Sequence, residues 1–206
     1  MIQSGKFDSL NMDIKKLANL VLIFTIKRLM EISGIFIFGL GILLFIALVS
    51  HSPTDPNFIF PENTQIKNLL GYQGSYISDL FLQSVGLIAY LIPVTYIFTG
   101  INIFKKKEIF ILIENTFLIV IYIIVGSLFF SFYYKTTFTF YINGNGGFVG
   151  NYFNETFINS LITSHENIFY YIFIFLIISL FLVSLNFSFK SFIQSTKKIL
   201  QFFKRK

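Results

Sequence analysis

The chain has 206 residues, of which 54% are apolar and only 13% are charged, and its mean hydropathy is +0.71. Soluble domains carry about 25% charged residues, so this chain lacks the polar side chains that would cover a water-exposed surface. The composition therefore predicts an integral membrane protein. The absence of cysteine excludes disulfides, thiolate metal sites and cysteine nucleophiles.

The first 31 residues are mixed in character. Leu17 to Ile26 is an apolar run of ten residues framed by basic side chains, too short for a bilayer core that needs about 20 residues. Two interpretations stay open: an amphipathic helix lying in the interface, or the inner end of a long tilted helix. We assign residues 1–31 to a cytoplasmic or interfacial segment.

Four longer apolar segments make residues 32–187 a four-span membrane domain, followed by a basic tail at 188–206. Pro93 is expected to kink the second span, because proline removes a backbone donor and clashes with the preceding turn. Only the short turn Lys105–Glu108 separates the second span from the third. The predicted spans are about 32–50, 78–104, 109–132 and 168–185.

The distribution of charge predicts the orientation, because short segments rich in Lys and Arg stay in the cytoplasm. With four spans, 14 of the 16 basic residues fall in the N-terminal segment, the turn at 105–108 and the tail. Only Lys67 and Lys135 lie in the other two loops. We therefore predict an all-α integral membrane protein with both termini cytoplasmic and two structured extracytoplasmic loops. Its basic surplus faces anionic lipid.

Few residues carry recognisable chemistry. The chain has no GxxxxGK[ST] phosphate loop, and His165-Glu166 begins an HExxH pattern in which Phe169 replaces the second histidine. Glu114 is an ionisable group inside a span, a feature that often marks function, but its place near the inner end favours a structural role. We expect no cofactor and no enzymatic activity.

The first outer loop is rich in turn-forming residues. His51, Ser52 and Asp55 are the residue types of a nucleophile, base and orienting group, yet the neighbouring prolines favour a rigid turn. Thr64–Leu70 is predicted as a short helix that Gly71 ends.

Local sequence patterns also predict helix features after this loop and within the second outer loop. Ser75 is predicted to cap the second span, with Asp79 in its first turn. In the second outer loop, the helical spacing of Val149, Phe153 and Phe157 predicts a short amphipathic helix on the membrane surface.

Taken in order, these motifs resemble the amino-terminal four-span domain of the FtsK/SpoIIIE DNA translocases. The chain has SHSPTDP after the first span, then N-x-x-G-x-x-G, an Asp-Leu pair, G-x-x-A-Y-x-x-P and, in the second outer loop, GGFVG. The resemblance extends from about residue 25 onward. The motif residues, with a structural or partner-contacting role, are Ser52, Pro53, Asp55, Pro56, Asn68, Gly71, Gly74, Asp79, Gly86, Tyr90, Pro93, Gly146, Gly147 and Gly150.

The resemblance implies a non-catalytic membrane anchor in the bacterial inner membrane, targeted to the division septum and acting in cell division and chromosome segregation. It implies as partners the lipid bilayer, other division proteins and further copies of the chain. DNA would be contacted only by a P-loop motor domain beyond Lys206, and whether the chain is a fragment or a stand-alone anchor stays open. The alternative function is a small transporter or channel subunit, which requires polar groups lining a path.

Overall fold

The computed structural model describes residues 3–57, 65–135, 142–156 and 158–186, with side chains from Lys15 onward. The predicted basic tail at 188–206 lies outside these ranges. The described residues form helices joined by turns and loops. The helices are α1 (Gln3–Val49), α2 (Gly71–Val85), a 3₁₀ segment (Gly86–Tyr90), α3 (Leu91–Lys106), α4 (Phe110–Tyr133), α5 (Gly147–Asn154), α6 (Ile158–Ser164) and α7 (Glu166–Ser184).

Four segments of the described chain are long and apolar enough to cross a membrane. The all-α, four-span prediction is thus confirmed. The helix of the second span begins at Gly71, seven residues before the predicted start at 78. The four segments are Lys15–Val49, Gly71–Lys106, Phe110–Tyr133 and Glu166–Ser184.

Helix α1 is continuous over 47 residues, about 70 Å at 1.5 Å per residue, more than twice the roughly 30 Å hydrocarbon core. The side chains from Leu17 to Leu29 are mostly exposed. The N-terminal segment and the first span therefore form one helix, as in the second of the two interpretations above. The division of the chain at residue 31 stays a prediction.

Two glycines bring α1 and α3 into close contact. A Cβ on Gly34 would lie 2.8 Å from the Gly100 carbonyl oxygen, and a Cβ on Gly100 would lie 2.5 Å from the Phe38 nitrogen. Small residues allow helix backbones to approach in this way within membranes. Near the inner end of this contact, Glu31 pairs with Arg28 and with Lys107, whose Nζ lies 2.7 Å from the carboxylate.

The second span is interrupted between α2 and α3. Gly86 has φ +73° and starts the 3₁₀ segment. Pro93 lies in the first turn of α3 and has no N–H to offer the carbonyl of Ala89. The kink predicted at Pro93 therefore lies in the turn that precedes it.

The largest buried apolar cluster surrounds this interruption. It brings together side chains of α1, α2, the 3₁₀ segment, α3 and α4, so the broken span is the centre around which the others pack. Its buried members are Leu48, Leu82, Ile88, Ala89, Ile92, Ile119 and Tyr122.

Side-chain hydrogen bonds inside the bundle join α3, α4 and α7. The Thr95 Oγ1 atom lies 3.1 Å from both the Tyr122 hydroxyl and the Ser184 Oγ. Asn115 Nδ2 donates to Thr99 Oγ1 at 2.7 Å, and all five side chains are buried. Because these groups bond to one another, they hold helices together instead of lining a path, which weakens the case for a transporter.

Replacing Tyr122 with phenylalanine is expected to lower the free energy of unfolding by about 0.5–1 kcal/mol, as is usual for one hydrogen bond between membrane helices. Thr95 would keep Ser184 and the Leu91 carbonyl as partners. Unfolding in detergent would measure the loss, with Tyr171→Phe as an exposed control. A decrease in the free energy of unfolding well above 2 kcal/mol would contradict the assignment of this bond as an ordinary hydrogen bond between helices.

Candidate functional site

The described ends of the first outer loop, residues 51–57 and 65–70, lie against the end of α1, and Asp55 joins these two ends to each other. The Asp55 side chain is only 1% exposed. Its carboxylate accepts the backbone N–H of Lys67 at 2.9 Å and that of Asn68 at 2.8 Å. Hydrogen bonds to an ionised acceptor are about twice as strong as neutral ones, so Asp55 ties the beginning of the loop to its end.

Asn68 connects the same loop to α1 and α2. Its Nδ2 donates to the Ala47 carbonyl at 2.8 Å, and its Oδ1 accepts the Leu70 N–H at 3.0 Å. A Cβ on Gly74 would lie 2.0 Å from this Oδ1, so only glycine lets α2 pass so close. Gly71, with φ +63°, turns the chain into α2.

The local predictions between 64 and 79 were wrong in three places. Residues 65–70 contain no helix, and Gly71 begins α2 instead of ending a helix. Ser75 lies inside α2, where its Oγ donates to the Pro56 carbonyl at 2.5 Å. Asp79 lies in the third turn, buried and 3.5 Å from Gln83 Nε2. Sequence patterns placed the helix start too late because they contain no information on the Asp55 and Asn68 contacts.

The three side chains that suggested a catalytic set have different partners. The Ser78 hydroxyl donates to the Ser75 carbonyl at 3.0 Å and lies 3.1 Å from His51 Nδ1. Ser52 pairs with the Thr54 hydroxyl at 2.9 Å. The Asp55 carboxylate is bound to backbone N–H groups, so the contacts of these three residues join the loop to itself and to α2.

His51 makes the stability of this loop depend on pH. Burial lowers the pKa of His51, although the nearby Asp79 and Asp55 act in the opposite direction. The unfolded chain then binds its proton at higher pH than the folded chain, so stability falls as the pH drops below about 6.5. We expect the melting temperature to decrease between pH 7 and pH 5, and to decrease less in His51→Gln. His165→Gln, at the exposed histidine, is the matched control.

Residues 142–147 of the second outer loop dock onto the interruption in the second span. The Leu87 N–H donates to the Asn145 carbonyl at 2.9 Å. A Cβ on Gly86 would lie 1.9 Å from the same oxygen, and a Cβ on Gly147, which has φ +64°, would lie 2.5 Å from the Gly86 nitrogen. The close approach of two backbones thus explains the glycines of two motifs that are far apart in the sequence.

Glycines also allow α5 to lie against α4. A Cβ on Gly146 would be 2.5 Å from the Ser127 carbonyl oxygen, and a Cβ on Gly150 would be 2.4 Å from it. The Ser127 hydroxyl in turn donates to the Val85 carbonyl at 2.9 Å, at the end of α2. Gly146 and Gly150 of the GGFVG motif therefore form the side of α5 that packs on α4.

Amide side chains complete this junction, and the sequence analysis missed them. Asn143 donates its N–H to Gln83 Oε1 and its Nδ2 to the Gln83 carbonyl, both at 3.1 Å. Asn151 Nδ2 donates to the Asn143 carbonyl at 2.7 Å, and Asn145 Nδ2 donates to the Tyr134 carbonyl. Asparagine side chains in glycine-rich loops often form hydrogen bonds with backbone groups of the loop. The asparagines among the glycines of this loop were therefore the sequence signal that could have indicated these contacts.

Most of the predicted motif residues are buried within this one chain. Tyr90 is half-buried, and its hydroxyl donates to the Leu48 carbonyl at 3.3 Å. Ser52 and Gly71 are also half-buried, whereas Pro53 is exposed. A partner-contacting role for any of them stays a prediction. The buried ones are Asp55, Pro56, Asn68, Gly74, Asp79, Gly86, Pro93, Gly146, Gly147 and Gly150.

Comparison with known proteins identifies the fold that these two junctions serve. Residues 26–197 match the model of the 4TM region of DNA translocase FtsK/SpoIIIE. The chain belongs to this family. It is a multi-pass inner-membrane protein and corresponds to the membrane region of such translocases, not to their motor domain. The sequence-based identification is thus confirmed.

Curated relatives agree with the family match. The DNA translocase FtsK of Rickettsia typhi is 30% identical over 136 residues, which is 64% of this chain and 18% of that protein. The FtsK of Azospirillum brasilense is 30% identical over 88 residues, and that of Rickettsia bellii is 35% identical over 68. These two matches cover 42% and 33% of this chain, and 14% and 9% of the relatives. The chain spans less than a fifth of the relatives' length, and no solved structure matches it.

Several apolar side chains remain exposed beside the two junctions, and none of them is among the motif residues named in the sequence analysis. Leu69 is 78% exposed where the first loop enters α2, and Tyr72 follows it. On α5, Phe148 and Tyr152 are 62% and 60% exposed, and their rings stack with their centroids 6.3 Å apart. The rings of Tyr72 and Tyr76 lie 6.1 Å apart and are tilted by 33°. We call Leu69, Tyr72, Phe148 and Tyr152 the outer face.

Proposed function

We propose that this chain anchors a DNA translocase in the membrane and brings it to the division septum, without catalysing a reaction itself. The observation that supports this most is the family match across residues 26–197. A motor domain elsewhere in the complete translocase would contact DNA and hydrolyse nucleotide. The anchor would contribute position and assembly with other copies.

The geometry of the loops supports a role in contacting other division proteins. Asp55, Asn68 and the glycines of the second loop are used to fix the loops on the bundle. The fixed loops then present the outer face, whose large apolar and aromatic side chains are of the kind enriched in protein interfaces. A rigid surface loses little conformational freedom when it binds.

Localisation of a fluorescent fusion in dividing bacteria tests this proposal. The chain without any motor is expected to concentrate at the septum. Leu69→Lys combined with Phe148→Lys should leave the fusion in the membrane but spread it evenly, because the charges change only exposed positions. Leu161→Lys, also exposed, is the matched control. An even distribution of the wild-type fusion would contradict septal targeting, and septal localisation of the double variant would contradict the role of the outer face.

A further inference from the structure

An apolar groove of about 940 Å³ runs along one side of the bundle. It lies between α1 and the start of α2 and reaches the first turn of α4. On α1 its lining extends from Ile32 to Ala47, about 22 Å along the helix axis. Phe36, Leu40 and Leu43 line it and are 65%, 48% and 50% exposed. A long apolar molecule would fit along this lining.

The inner end of the groove lies beside a cluster of positive charge. Ile32 and Ile109, which line that end, follow closely after Glu31 and Lys107. The Glu31 carboxylate is shared by Lys107 and Arg28, so two cations meet one anion and one positive charge is in excess. The side chains of Arg28 and Lys107 remain 57% and 37% exposed. Lys105, Lys106 and Glu108, which adjoin Lys107 in the sequence, are also exposed and together add one further positive charge.

We propose that the groove binds an anionic phospholipid of the inner leaflet. One acyl chain lies along α1, and the phosphate meets Arg28 and Lys107. The distribution of basic residues places this end of the bundle in the cytoplasm, and basic pockets between membrane helices on that side are typical sites for anionic head groups. The arginine guanidinium also matches phosphate geometry.

The excess charge is the reason to choose a lipid over other occupants. A second copy of the chain, or an apolar helix of another protein, would cover Phe36 and Leu40 equally well. An apolar surface carries no negative group, so the one positive charge of Arg28 and Lys107 in excess over Glu31 would stay uncompensated beside the membrane core. One phospholipid molecule does both, because its acyl chain covers the apolar groove and its phosphate compensates the positive charge.

A single tryptophan can report on the groove, since the chain contains none. In phosphatidylcholine vesicles, Leu40→Trp would be quenched by brominated phosphatidylglycerol or brominated phosphatidylcholine at equal mole fraction. We expect a preference for phosphatidylglycerol of about fivefold or more, because each basic residue near an anionic head group contributes roughly that factor. Ile35→Trp, exposed on α1 but outside the groove, should show a ratio close to one.

Two charge variants in the Leu40→Trp background test the head-group site. Arg28→Gln removes the excess charge and keeps the Lys107–Glu31 pair, so it should reduce the preference about fivefold. Lys16→Gln changes the net charge equally but lies about 18 Å away along α1, and it should change the preference less than twofold.

Equal quenching by the two lipids at Leu40→Trp would overturn the proposal, because the groove would then be ordinary lipid boundary. Protection of Leu40→Trp from both lipids, with Ile35→Trp quenched, would also overturn it and would indicate a protein segment in the groove. If Leu40→Trp does not fold, Leu43→Trp serves the same purpose. Native mass spectrometry of the unmodified chain should retain phosphatidylglycerol over phosphatidylcholine, and equal retention would count against the site.

Discussion

Replacement of Asp55 with alanine is expected to lower the free energy of unfolding by about 3 kcal/mol. The carboxylate accepts two backbone N–H groups from 67 and 68 and is almost fully buried. Removing it leaves those donors without their acceptor, and a buried donor that loses a charged partner costs about 1.5–3 kcal/mol. Unfolding of the purified chain in detergent, followed by circular dichroism, would measure the change.

A second substitution at Asp55 separates the effect of losing the hydrogen-bond acceptor from the effect of shortening the side chain. Asp55→Asn keeps the shape but offers one oxygen in place of two, so it should also destabilise, by at least half as much. Glu155→Ala removes a carboxylate of the outer loops that is exposed, and it should change stability by less than about 0.5 kcal/mol. An Asp55→Ala variant as stable as Glu155→Ala would show that the carboxylate does not hold the loop.

Replacement of Gly86 with alanine is also expected to lower the free energy of unfolding by about 3 kcal/mol. Alanine is unfavourable at φ +73° and ψ −149°, a backbone region that glycine occupies almost alone, by roughly 1–3 kcal/mol. Its Cβ would also lie 1.9 Å from the Asn145 carbonyl oxygen, and forced repacking costs about 1–3 kcal/mol. Because the obstacle is backbone, the second loop must move away from α2, which makes undocking of α5 the expected structural result.

Gly39 offers a matched control in the same chain. A Cβ there would meet nothing within 4 Å, and alanine is a better helix former than glycine by about 1 kcal/mol. Gly39→Ala should therefore be neutral or slightly stabilising. To detect undocking, a cysteine at Ser131, which is 2% exposed against α5, would be labelled faster in Gly86→Ala than in Gly39→Ala. Equal labelling would contradict the docking role of Gly86.

The number of spans was predictable because long apolar segments and one-sided basic residues are strong signals in a membrane protein. The third span, predicted at 109–132, is α4 at Phe110–Tyr133. The start of the second span was not predictable. Its position depends on Asn68 reaching Ala47, a residue 21 positions earlier, and no local pattern contains such a contact.

The sequence alone also did not show whether the motif residues are structural or contact a partner, because that depends on contacts between distant parts of the chain. Pro53, Asp55 and Gly74 indicate a rigid loop, but a sequence does not say whether a rigid loop is buried or exposed. The structure adds that Gly86 and Gly147 occupy one junction. It also adds the bonds among Thr95, Tyr122 and Ser184, which come from three different helices and have no common period in the chain.

Cysteine labelling from the outside of intact spheroplasts tests the central claim most directly, because the chain has no cysteine of its own. A membrane-impermeant maleimide should react quickly with cysteine at Leu69 or Phe148, which are 78% and 62% exposed. It should react slowly with cysteine at Ser75 or Ser131, each 2% exposed in the junctions with the two loops. Labelling of Ser75→Cys as fast as Leu69→Cys, or labelling of Leu69→Cys only after the membrane is opened, would contradict a docked outer face built by the motif residues.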